Sequence, residues 1–86
     1  MTKSEYLNIA SDLRRSANWI ARDQKEKLPL IKTVFKNAYK YQDVCAILKH
    51  FKVGQNPDSI FDNREKRIFA AEQLLISSLR LQNLNN

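Results

Sequence analysis

The chain has 86 residues, of which 43% are hydrophobic and 28% charged, and a net charge of +6. These values exclude a disordered or fibrous chain, and the length allows one domain that buries only about 60–65% of the surface its unfolded form exposes. One glycine and two prolines exclude strand-and-turn architectures and predict long helices joined by few breaks.

Thr2, followed three residues later by Glu5, reads as a capping box. Behind it Tyr6, Ile9, Ala10, Leu13, Ala17 and Ile20 recur at three-to-four spacing, which predicts a helix over 3–23 with one apolar face. The segment "RDQKEK" ends that helix. Pro29 suits the first turn of a second, 29–40, where its missing N–H costs nothing.

Leu28, Ile31, Phe35 and Ala38 form one stripe. Val44, Leu48 and Phe51 form another, rotated by roughly 150° at helical periodicity. One straight helix could not bury both in a single core, so a break is predicted at "YKYQD", with Gln42 or Asp43 opening a third helix over 42–53. Gly54 suits the left-handed residue that closes it.

Asn56 and Pro57 are a candidate N-cap and first residue for the last helix, 57–82, and Asp62 with Glu65 is a second candidate start. Phe61, Ile68, Leu75 and Leu79 align on that helix, with Glu72 among them, and are its predicted apolar face; Leu74 and Leu81 lie to the side. Residues 83–86 are expected to form a frayed tail. The expected fold is all-α, a small compact bundle of three or four helices in a single domain over 1–86.

The charge is unevenly placed. Residues 22–52 hold eight basic and three acidic groups, whereas residues 53–86 hold four of each. Lys25, Lys32, Lys36 and Lys40 fall away from the Leu28/Ile31/Phe35 stripe, Arg22 extends the row, and no acid lies between Lys27 and Lys40. Such a row can meet an acidic protein surface or track a phosphate backbone, although any helix with one apolar face puts its lysines elsewhere. Trp19 sits about 130° from the centre of the first helix's stripe, between Arg15 and Arg22. It reads as an interface anchor, as a platform for nucleobases, or as a flank tryptophan with Arg15 over its ring.

Parts for catalysis are missing. Cys45 and His50 are separated by about 140° around a helix and share no face. One cysteine and one histidine cannot build a structural zinc site without several carboxylates, and Gly54 alone cannot form a phosphate-cradling loop. Glu72 has no second carboxylate or base at a useful spacing; if buried, it needs a cationic partner. No enzyme, cofactor or metal is therefore expected.

The lone cysteine precludes an internal disulfide, no apolar run reaches the ~18 residues of a membrane span, and the N-terminus lacks a signal-peptide core. The cytosol is the expected compartment, with no membrane partner. A helix-turn-helix reading of residues 43–61 is weakened by its long break "KVGQNP" and by Asp58 and Asp62, which would face phosphates, an objection that Arg64, Lys66 and Arg67 soften without removing.

The functional expectation is a small non-enzymatic protein–protein interaction module (adaptor, regulator or inhibitor) acting through helix faces. Arg15, Trp19, Arg22, Lys25, Lys32, Lys36 and Lys40 are the candidate partner-binding residues. The alternative is a nucleic-acid binder using the basic middle third, residues 22–52. A chain this small has too few helices to cover the broad apolar face of its last one, so a homodimer through Glu72, Leu75, Leu79 and Leu81 is also expected.

Overall fold

A computed structural model describes residues 2–50 and 57–83. These residues contain four α-helices, α1 (Lys3–Ala21), α2 (Leu28–Ala38), α3 (Gln42–His50) and α4 (Arg64–Asn83), with short 3-10 turns at Lys25–Lys27 and Pro57–Ser59. No strand occurs among the described residues. The fold is the expected small all-α bundle.

The capping box forms as read. Thr2 Oγ1 accepts the Glu5 amide at 3.2 Å, and the Glu5 carboxylate accepts the Thr2 amide at 3.3 Å. Donation from the Thr2 backbone, then from the Thr2 and Tyr41 hydroxyls, holds the Glu5 carboxyl below its ordinary value. At the other end of α1, Asp23 adopts φ 56°, the left-handed conformation. Its amide donates to Ile20 O at 3.0 Å and the Gln24 amide to Trp19 O at 2.9 Å, the two bonds of a Schellman cap. Asp23 also reaches α4, where its carboxylate lies 3.6 Å from Arg67 Nε.

The break between α2 and α3 falls at Tyr39–Tyr41, where the phase argument requires it. Ile31, Phe35 and Ala38 on one side of the break and Val44 and Leu48 on the other are all buried in the same core. Phe51, Gly54 and Asn56 lie outside the described residues.

The last helix starts later than Pro57. Asn63 Oδ1 accepts the Lys66 amide at 2.8 Å and caps α4. The Pro57–Ser59 turn ahead of it seats two adjacent residues, Ile60 and Phe61, in the core. Asn83, expected in the tail, is helical, and residues 84–86 lie outside the described residues.

The apolar face expected for α4 is reversed. Leu74 and Leu81, expected at the side, are 0% exposed, while Phe69 and Leu79 are 50% and 58% exposed. The face turned inward is Ala71, Leu74, Ser77, Ser78 and Leu81. The reason is the partner helix. α1 and α4 form the principal helix pair. They run antiparallel, because Ser78 touches Ala10 and Arg67 touches Asp23.

Both helices carry the same three-four-three spacing of small and large residues: Ala10, Leu13, Ala17 and Ile20 on α1, and Ala71, Leu74, Ser78 and Leu81 on α4. With Ala10 against Ser78, the antiparallel register also brings Ala17 towards Ala71. Small residues meet small, the backbones approach closely, and the leucines fill the spaces between. The Ser78 hydroxyl donates to Ala10 O at 2.7 Å across this buried seam. Ser77 bonds back to Gln73 O at 2.8 Å.

One group in the core is unsatisfied. The buried Ser16 hydroxyl has no hydrogen-bond partner among the described residues. Leaving a hydroxyl unpaired away from water costs about 1–3 kcal/mol, and alanine is the better helix former. Ser16→Ala is therefore expected to raise stability by about 1 kcal/mol in urea denaturation. A loss of stability would show that the hydroxyl has a partner in solution.

Candidate interaction surface

The inward face of α4 leaves its opposite face to solvent. Ile68, Phe69, Leu75, Ile76 and Leu79 are all exposed there. At helical periodicity they span roughly 120° of the surface, and Glu72 lies at the centre, with Ile68 and Phe69 one turn before it and Leu75 and Ile76 one turn after. Glu72 is exposed, so within one chain it needs no internal partner. Leu81, expected on the same surface, belongs to the chain's own core and is unavailable to a partner. Leu75 and Leu79 are available. Ile76, which shares the apolar face around Glu72 in the sequence, is exposed there too. Phe69 is a further member of the patch, and its clue in the sequence is the seven-residue interval to Ile76, which parallels that from Ile68 to Leu75.

Trp19 is less displaced than its helical angle implies. It is half-buried and packs against the core. The 3-10 turn after α1 brings Lys27 Nζ to 5.7 Å from the ring centroid, a cation–π distance. Arg15, the expected cover, instead lies 3.9 Å from Asp12 one turn earlier. Trp19 thus forms the edge of the core with a lysine over it.

The basic row is exposed at Arg22, Lys25, Lys32, Lys36 and Lys40. Lys32 is paired with Asp58 from the Pro57–Ser59 turn, an acid that sequence distance concealed. Arg22, Lys25, Lys36 and Lys40 make no ion pair among the described residues.

Two tyrosine–carboxylate pairs tie the start of α1 to the α2–α3 corner. Tyr6 donates to Asp43 at 2.9 Å, and Tyr41 donates to Glu5. These bonds, together with desolvation and the neighbouring negative charge, raise both phenols above their ordinary value. Beside them lies a cleft of about 240 Å³ lined by Glu5, Asn8, Ile9, Asn37, Lys40 and Tyr41. It is smaller than the ~300–1,000 Å³ of typical ligand pockets, and its ionisable groups are already paired or solvated.

Cys45 is a free, partly buried thiol; the His50 side chain lies outside the described residues. Among the described residues no group of three His, Cys, Asp or Glu could hold a metal, and no helix is long and apolar enough to cross a membrane. The chain matches no known protein family, no curated protein and no solved structure.

Proposed function

We propose that the protein is a non-enzymatic interaction module that docks another protein on the outer face of α4. One observation carries this reading: five large apolar side chains are exposed together on a helix whose other face already fills the core. Single exposed apolar residues such as Leu7 and Leu30 need no explanation, but five gathered on one face of a helix in so small a chain support a contact surface. The half-buried Trp19 and the partly neutralised lysine row support a partner less strongly.

A photo-crosslinking residue placed at Ile76, with Lys36 as the control position, tests the reading in the cells that make the protein. Discrete protein adducts are expected from position 76 and not from position 36, and Leu79→Asp should remove them. Adducts at position 36 alone, or at neither position, would end the proposal.

A second reading rests on the unpaired Arg22, Lys25, Lys36 and Lys40, which could follow a phosphate backbone. The Lys32–Asp58 pair shortens that row. Generic DNA and RNA are expected to give no electrophoretic shift at about 150 mM salt, since a few phosphate contacts lose most of their affinity there. A shift that weakens steeply with added salt and disappears in a Lys36→Glu/Lys40→Glu variant would establish nucleic-acid binding instead.

A further inference from the structure

The docking reading leaves open which protein covers α4, and the charges along its outer face point to an answer. Glu72 sits at the middle of the apolar patch and Glu65 two turns before it, whereas Arg80 follows two turns after Glu72. All three are exposed, and none makes an ion pair among the described residues. Glu65 and Glu72 thus lie along the middle of the face, while Arg64 and Arg80 flank it at its two ends. A partner helix that buries the apolar residues must also place a cation near Glu72, because a carboxylate enclosed by Ile68, Phe69, Leu75 and Ile76 cannot stay charged unpaired.

We infer that the occupant is a second copy of this chain, with the two α4 helices packed antiparallel about a two-fold axis. This inference rests on the docking reading of the same face. In a two-fold antiparallel pair the N-terminal half of one helix lies against the C-terminal half of the other. A register centred near residue 74 sets Phe69 opposite the partner's Leu79, Glu72 opposite the partner's Ile76, and Ile68 opposite the partner's Arg80.

Helical side chains lean towards their own N-terminus. Glu72 therefore leans towards the level of Ile68, where the partner's Arg80 starts, and that Arg80 leans back towards Glu72. The contact occurs twice, once on each side of the axis. A parallel pair would instead put Glu72 on Glu72 and Glu65 on Glu65, which is repulsive. Charge thus makes the face complementary to a second copy of itself and sets the direction of the pair.

Area agrees with a modest dimer. The five apolar residues offer a few hundred Å² per protomer, and the stems of Glu65, Glu72 and Arg80 add to this, against the roughly 800 Å² per partner of a standard interface. The seam falls at or below the lower end of specific interfaces, so the dimer is expected to be weak and concentration-dependent.

Sedimentation equilibrium of the full chain from about 1 to 500 µM supplies the test, with circular dichroism confirming that each variant stays helical. All the substituted positions are exposed, so folding is expected to survive. The wild type should move from monomer to dimer mass, and Leu79→Asp should remain monomeric. Glu72→Arg and Arg80→Glu should each weaken association about tenfold or more by setting like charges together. The double variant Glu72→Arg/Arg80→Glu should recover most of the loss, because the swapped pair faces itself across the axis.

A monomer at every concentration would overturn the inference, as would a dimer indifferent to both single reversals. A monomer that still gives crosslinks from position 76 to an unlike protein leaves the docking reading standing and removes only the second copy. A monomer without such crosslinks removes both.

Discussion

Leu74→Ala is expected to cost about 3–5 kcal/mol, and Leu79→Ala less than about 1 kcal/mol, when both are measured by urea denaturation below the concentration of self-association. The two leucines lie five residues apart on one helix, so intrinsic helix propensity changes equally in both. Their surroundings differ. Leu74 is fully buried between α4 and the rest of the core, whereas Leu79 is more than half exposed.

Truncating Leu74 removes apolar burial and leaves a cavity that two closely packed backbones cannot collapse to fill. A domain of this length has roughly 5 kcal/mol or a little more in reserve, so Leu74→Ala should leave much of the chain unfolded at 37 °C. Similar costs for the two variants, or a larger cost at Leu79, would mean that α4 is turned the wrong way.

The second large effect is expected at Ser78. Replacing it by leucine improves helix propensity and adds apolar bulk, so a judgement from sequence alone would predict a more stable protein. The seam predicts the opposite. Ser78 is buried with its hydroxyl 2.7 Å from Ala10 O, where two small residues let α1 and α4 meet. A leucine side chain there must push the helices apart or leave its preferred rotamer, at a cost of about 1–3 kcal/mol or more, besides the lost hydrogen bond. Ser78→Ala should lose only about 1 kcal/mol. Thermal unfolding of both variants checks the order. Ser78→Leu melting above the wild type would show that the seam has room to spare.

Most of the fold was legible because α1, α2 and α3 each carry one apolar stripe. Ile9, Leu13 and Ile20 have no rival on the other side of α1, and the phase change from Ile31 and Phe35 to Val44 and Leu48 located the break. α4 is different, since it carries apolar residues on both faces. Ile68, Leu75, Ile76 and Leu79 are bulkier than Ala71, Ser77 and Ser78, so a count of hydrophobicity favours the stripe that is in fact solvated. What selects the other face is complementarity with α1, a property of two segments read together.

The matching Ala10–Leu13–Ala17–Ile20 and Ala71–Leu74–Ser78–Leu81 spacings were visible in the sequence, but they gain meaning only once the two helices are known to pair. The same limit applies to the candidate surface. The sequence names the leucines of the outer face, but Leu81, which it places beside them, belongs to the core. Neither the Lys32–Asp58 pair nor Lys27 over Trp19 follows from one-dimensional spacing.

The pairing of the first helix with the last also governs when the protein can fold during synthesis. Ala10 and Ser78 meet across a sequence separation of 68. While a ribosome adds that stretch, at about 5–20 residues per second, the inner face of α1 waits for its main partner on the order of several seconds. Ile9, Leu13 and Ile20 are meanwhile covered only by what α2 and α3 can offer, and they stand open to a chaperone or to a neighbouring nascent chain. Closing so long a loop also slows folding relative to bundles built from adjacent hairpins. Leu74, Ser78 and Leu81 therefore complete the core late, and a ribosome stalled before α4 has emerged would hold a nascent chain whose first helix is still sticky.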